Sequence, residues 1–335
     1  MPTTLAATPR PRPLPTIVDE ALELAVVPSW TRLGPVARRH LLGWDDDPPA
    51  RLDGRVVVLT GFTSGLGAAA ADRLGELGAT LHLVGRDPDK VRERAWALRA
   101  AGAEVTTSLA DLSDLDAVRA LATEIMSAHD RVDVLVHNAG ALASEHREGP
   151  QGVEITVATH VLAPFLLTNL LLDPLTRSGG RVLTMSSGGA YTERLSVADL
   201  EMGPDGFDGV TAYARAKRAQ IELTLEWARR GPAEVAHHAL HPGWADTPGL
   251  ARSLPGFRTV VGPALRTPDE GVDTLVWLAG LAPDRLGPSG GFWLDRRRRR
   301  TSRLPWTRTP SGERARLWDW CRYRTDPPAP PDRAR

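Results

Sequence analysis

From Arg55 onward, short apolar runs alternate with longer amphipathic stretches. Val56-Val57-Val58-Leu59 is an unbroken apolar run of the kind buried on both faces of a sheet. Residues 65–77 follow with helical spacing, and Gly78 ends them. The pattern then repeats. Strands are predicted at Thr80–Val84, Glu104–Ser108 and Val132–Val136, with helices at Asp87–Ala101 and about 113–129 between them. A long apolar helix over about 151–172 leads to a strand at Arg181–Met185, a helix over about 210–230 and a strand at Val235–Leu240. Thr267-Pro268-Asp269-Glu270 reads as a helix start, with a Thr cap, Pro first and Glu third. That helix runs to about Ala279, and Gly291–Leu294 is the last strand. Repeated β-α-β with short links predicts an α/β fold, a doubly wound parallel sheet of about seven strands. Its ligand belongs beyond the carboxyl ends of the strands.

The two ends read differently. Residues 1–15 are Pro-rich and expected to be disordered. Ile17–Val27 predicts an acidic amphipathic helix with Asp19, Glu20 and Glu23 on its wet side, stopped by Pro28. A basic helix over Thr31–Leu42 puts Leu33, Val36, Ala37 and Leu41 on one side. Asp45–Pro49 reads as a linker. These helices are expected to pack on the core; the sharper reading is a dimer, membrane-surface or substrate-access element. The chain thus divides into a tail and helical extension (1–50), a core domain (51–295) and a C-terminal extension (296–335). A terminal helix over about 311–324 is expected to cover the substrate cleft or bury itself in a partner chain.

Composition narrows the class. The 335 residues carry 41 Lys+Arg against 41 Asp+Glu, so no global field draws nucleic acid or a membrane surface. The five arginines Arg296–Arg300 therefore read as a solvated rim. One cysteine, Cys321, suits a reducing compartment, and no run reaches the ~18–20 apolar residues of a transmembrane segment. With no secretory leader at the N-terminus, a cytoplasmic protein is expected. His237 and His238 face opposite sides of a strand, so with His241 they make a poor metal site.

The candidate chemistry centres on Tyr213-Ala214-Arg215-Ala216-Lys217. Residues four apart share one helix face. There an ammonium can depress a phenol's pKa from about 10 toward neutrality, which alcohol–carbonyl proton transfer requires. Both residue types are scarce: the chain has 3 Tyr, and Lys90 and Lys217 are its two lysines. A second signal lies after the first strand. Gly61, Gly65 and Gly67, with Ser64 and Leu66 between, let backbone approach a pyrophosphate at a helix N-terminus. With the strand order, this predicts a Rossmann-type nucleotide site. Arg86 ends the second strand, where an acid would grip an NAD ribose. Arginine suits the 2′-phosphate of NADP(H), which is preferred over NAD(H); its other use would be to stack on adenine. Asp111 and Leu112 are placed at the adenine edge, and Asn138-Ala139-Gly140 lets backbone pass close to the cofactor.

Together Thr-Gly-x-x-x-Gly-x-Gly at 60–67, Asn138-Ala139-Gly140, a serine after the fifth strand, Tyr213-x-x-x-Lys217 and Pro242-Gly243 resemble the short-chain dehydrogenase/reductase family over about 52–295. The stretch Leu240–Gly249, with Ser186–Gly189 and Leu254–Phe257, is similar to its member-12 branch. The resemblance implies an NADP(H)-dependent oxidoreductase interconverting an alcohol and an aldehyde or ketone. Tyr213 would be the acid–base group. Lys217 would bind the nicotinamide ribose and lower the tyrosine pKa. Ser187, ahead of Ser186, would hold the substrate oxygen. Pro242, Gly243 and Thr247 would line the nicotinamide and phosphate side. The family usually has a relay asparagine five residues before a Phe-x-x-Thr run; anchoring on Phe165 puts His160 there, as relay or as a structural histidine. Ser187 and Tyr213 stand 26 apart (213 − 187), wider than in many members, as in relatives resembling retinol dehydrogenases. The extra stretch Ala190–Val210 then reads as a loop over the active site, and the substrate as lipophilic or bulky. The family usually forms homo-dimers or tetramers. The competing reading is a non-catalytic NADP(H) sensor or scaffold.

Overall fold

The computed structural model describes residues 13–326 apart from 141 and 254, so most of the expected tail lies outside the described residues. Eight strands form one sheet in the order β3-β2-β1-β4-β5-β6-β7-β8. They are β1 (Val56–Thr60), β2 (Thr80–Gly85), β3 (Glu104–Leu109), β4 (Val134–His137), β5 (Arg181–Met185), β6 (Ala236–Leu240), β7 (Gly291–Leu294) and β8 (Arg297–Arg298). The first seven pair in parallel. Chain order reverses between β1 and β4, which makes the switch point where a ligand belongs.

The eighth strand corrects the expected seven. Asp295 and Arg296 take positive φ (52° and 55°) in a tight turn, and β8 folds back antiparallel on β7. The arginine run is correspondingly not a uniformly solvated rim. Arg296 pairs with Asp273 and Arg299 with Asp19, both guanidinium groups nearly buried. Arg298 lies over the Trp293 ring.

Helices cover both faces. One side holds α4 (Gly65–Glu76), α5 (Pro88–Ala100) and the Pro268–Gly280 helix. That last helix has the full Thr267/Glu270 capping box. The other side holds α6 (Leu115–Ala128) and the Tyr–Lys helix Gly209–Arg230. The expected long helix at 151–172 is broken here. A π-helical turn, Ala158–Leu162, sits between Ile155–Val157 and Ala163–Leu170, and the chain bends 61° before Leu172–Ser178. Among the described residues, no single helix is long and apolar enough to cross a membrane.

The terminal extensions join the core. The helix Glu313–Thr325 packs Trp318 against Phe165 and Trp227, with ring centroids 5.0 and 4.7 Å apart. It seals the chain's own core. Its Glu313 also accepts the backbone N–H of Val197, pinning the 190–210 segment.

The N-terminal helices α1 (Pro13–Leu24), α2 (Val26–Trp30) and α3 (Leu33–Leu42) reverse the expected polarity. Pro28 does not stop a helix; it lies in the first turn of α2, where no intrahelical N–H is required of it. Asp19 and Arg38 are buried, while Ile17, Leu24, Leu33 and Val36 are exposed. The reason is electrostatic. Arg38 bonds Asp19 and Asp295, Arg299 bonds Asp19, and Arg266 bonds Asp295. Buried charges survive only when paired and hydrogen-bonded, and this network satisfies both conditions.

Candidate active site

The Tyr–Lys helix begins at Asp208, whose carboxylate accepts the Thr211 N–H at 2.7 Å. It crosses the carboxyl end of β5. One turn apart, Lys217 Nζ lies 5.4 Å from the centre of the Tyr213 ring. Lys217 is buried, donating to the Met185 carbonyl at 2.8 Å and to Gln220 Oε1 at 3.1 Å. Burial pulls its pKa down to about 7. Burial also pushes the half-buried Tyr213 phenol up, and a hydrogen bond from Ser187 opposes this. The expected depression of the tyrosine by the ammonium is therefore not the dominant effect. The ammonium is committed to Met185 and Gln220, and burial suppresses its own charge, so burial of the phenol prevails.

Ser186 and Ser187 follow β5. Ser186 Oγ donates to the Lys217 carbonyl at 2.9 Å, a structural task. Ser187 caps the turn Gly188–Tyr191 by accepting the Gly189 N–H at 3.2 Å, which leaves its O–H for Tyr213. His160 comes from the π-helical turn. Its ring stands perpendicular to Tyr213, centroids 5.3 Å apart, and lies over Gly140, where any Cβ would collide with it. The fold thus brings Tyr213, Lys217, Ser187 and His160 together.

The glycine turn forms a cradle that side chains would fill. Gly61 has φ +75°, and a Cβ there would lie 2.6 Å from Ala139 Cα. A Cβ on Gly67 would collide with the Gly61 carbonyl and lie 2.5 Å from Asn138 Nδ2. Ser64 stands at the N-cap position of α4 without a side-chain cap bond; that N-terminus faces this cradle, and a Gly65 Cβ would lie 3.2 Å from Thr247. Thr247 is therefore brought to the phosphate end. Arg86 is exposed at the end of β2 and makes no ion pair among the described residues. These features fit a dinucleotide cofactor.

Other residues serve differently from expectation. Asn138 donates to the Thr60 and Gly61 carbonyls at 3.1 and 3.0 Å, so it braces the cradle. Leu112 is buried in the core, and Asp111 accepts from Ser113 while remaining exposed. Leu66 packs toward Gly271 beside Pro242. Pro242 and Gly243 are held by Arg266, which takes the Pro242 carbonyl and occupies the space of a Gly243 side chain. The three histidines of β6 and its end go to separate aromatic surroundings: His237 to Trp227, His238 to Trp293 and His241 to Trp30.

Comparison with known proteins identifies the family. The sequence model described as short chain dehydrogenase matches residues 55–255. The chain belongs to the short-chain dehydrogenase/reductase family. Within that family it is similar to dehydrogenase/reductase SDR family member 12 of Bos taurus, 37% identical over 79% of this chain and 84% of the relative. A Streptomyces sp. (strain C5) protein described as a daunorubicin C-13 ketoreductase is 35% identical over 81% of this chain and 93% of its own. Retinol dehydrogenase 14 of Mus musculus is 34% identical over 78% and 84%. A solved structure described as a short chain dehydrogenase from Escherichia coli CFT073, complexed with NADPH, superposes with a TM-score of 0.61 at 26% identity, covering 73% of this chain and 98% of that one. This short-chain dehydrogenase is accordingly an oxidoreductase acting on alcohol and carbonyl groups of small molecules, with a nucleotide cofactor.

Three further residues build the site. Thr60 Oγ1 accepts the N–H groups of Asn138 and Ala139 at 3.1 Å, joining the β1 and β4 ends. Gln220 joins Lys217 to the His160 carbonyl. Its spacing, one turn beyond Lys217 on the same face, was a usable signal. Trp30 is the third. Its ring fills the space a side chain at Gly188 would need, directly after Ser187, and it packs on Tyr191, His241 and Trp244. No local pattern points to that contact.

Proposed function

We propose that this enzyme is an NADP(H)-dependent carbonyl reductase or alcohol dehydrogenase of lipophilic or bulky substrates, with Tyr213, Ser187 and Lys217 handling the proton. The observation that carries this reading is the Tyr213 ring one helix turn from the buried Lys217, against His160, with its phenol facing Ser187. Two hydroxyls aimed at one oxygen stabilise the charge that develops there during reduction. Tyr213, held protonated by burial, gives its proton to that oxygen. Ser187 and the Lys217 ammonium then steady the phenolate that remains. Hydride is what a reduced nicotinamide supplies when bound. Gly61, Gly65 and Gly67 would hold its pyrophosphate, Lys217 its ribose and Arg86 its 2′-phosphate. The NADPH-bound relative supports that cofactor preference. The substrate reading is supported by the retinol and daunorubicin names among the relatives and by the Trp244–Phe257 pair, centroids 5.0 Å apart, after β6.

The test is Tyr213→Phe, assayed by NADPH oxidation against aldehydes, ketones and quinones. General acid catalysis contributes about 10²–10⁴-fold, so kcat should fall at least 100-fold with NADPH affinity nearly intact. Full activity in that variant would sink the mechanism. Cofactor binding without turnover in the wild type, on a broad panel, would favour the sensor reading instead.

A further inference from the structure

Gln220 lies one turn beyond Lys217, on the face that meets the π-helical turn. It is buried, and both ends of its carboxamide are committed. Oε1 accepts from Lys217 Nζ at 3.1 Å, and Nε2 donates to the His160 carbonyl at 2.8 Å. The reversed amide would set NH₂ against an ammonium and oxygen against a carbonyl, so chemistry decides the orientation. We propose that Gln220 is a positioning residue for the reaction: its carboxamide fixes the Lys217 ammonium at the end of β5 and ties it to the backbone that carries His160. The catalytic meaning of this rests on the role proposed for Lys217; the tether itself does not.

The groups facing Lys217 are few. Its own helix offers the Tyr213 ring and the Gln220 carboxamide, and β5 the Met185 carbonyl; the His160 ring stands against Tyr213. Burial alone accounts for the depressed lysine, with no ionised neighbour contributing. In such a site a neutral acceptor holds the ammonium in place without adding a counter-charge. A carboxylate would stabilise its charge further, and an apolar side chain would abandon it.

The sequence makes a direct test available. Lys90 and Lys217 are its two lysines, so ¹⁵Nζ-lysine labelling yields two side-chain signals in NMR. Lys90 is exposed beside Asp87, and Lys90→Arg assigns the pair. Titration of Lys217 then needs no substrate. Gln220→Met keeps the length but removes the acceptor; its midpoint should fall by about one pH unit, the worth of one charge-assisted hydrogen bond. Gln220→Glu should raise the midpoint by about as much or more. Unmoved midpoints, or shifts of the same sign, would overturn the proposal. Gln220→Glu has nearly the wild-type volume, so it decides the matter even if the Met variant does not fold. Opposite shifts with undiminished turnover would support the Gln220 tether while removing Lys217 from catalysis. Lost turnover with unmoved midpoints would do the reverse.

Discussion

Trp30 and Gly188 invite a double-mutant cycle. Trp30 is 6% exposed and its ring sits where a Gly188 side chain would be. Trp30→Ala removes a buried aromatic, a loss of about 3–5 kcal/mol where the surroundings relax only in part. Gly188→Ala overpacks the same contact, costing about 1–3 kcal/mol, because the obstacle is a ring held by Tyr191, His241 and Trp244 and not a flexible chain end. In the Trp30→Ala background the new methyl group enters the vacated space. Its cost should vanish, giving a coupling of about 1–3 kcal/mol between residues 158 positions apart (188 − 30). Urea unfolding of the four proteins measures it. In thermal melts the first substitution alone should lower Tm by roughly 6–12 °C, from ~3 kcal/mol at ~2–4 °C each. Because Gly188 follows Ser187, each single variant should also lower kcat/KM. Additive losses, with coupling under about 0.5 kcal/mol, would refute the contact. Unchanged kcat/KM in both would refute its link to the serine.

Two further outcomes are expected. Arg86→Ala should weaken NADPH by about 10–100-fold, the worth of a charge-assisted bond to phosphate, and leave NADH nearly unaffected; equal losses in paired binding titrations would reject the NADP(H) preference. Acid should destabilise the fold early, because burial holds His137 and His238 down to about 3 and His82 and His237 to about 4. Between those values and the unfolded value of about 6.5 the unfolded chain binds more protons, so each histidine removes up to about 1.4 kcal/mol per pH unit as pH falls. A Tm unchanged from pH 6.5 to 5 would contradict this.

The strands and the catalytic helix were legible because their signals are local. Four apolar residues at 56–59, glycines at 61, 65 and 67, and a Tyr–Lys pair one turn apart need no distant partner to be read. The extensions were illegible for the opposite reason. The periodicity of α1 and α3 was seen, but the assumption that apolar faces turn inward placed them backwards. What decides their orientation is Asp295 and Arg299, more than 250 residues downstream. β8 is two residues long inside an arginine run, too short for any pattern. At Tyr213, pairing with a lysine is visible in sequence and burial of the phenol is not.

The network of Asp19, Arg38, Asp295 and Arg299 also has a meaning in time. Asp19 is synthesised 280 residues before Arg299, and Arg38 257 residues before Asp295. At about 5–20 residues per second, the first helices wait roughly 15–55 s for their counter-ions. A face of carboxylates and guanidinium groups tolerates that delay in water, where it is well hydrated and need not seek a wrong apolar partner. The latch therefore cannot close before Arg299 has been made. Trp30 is carried on α2 between those first helices, so a chain halted before Asp295 holds it without the ion pairs that orient α1 and α3.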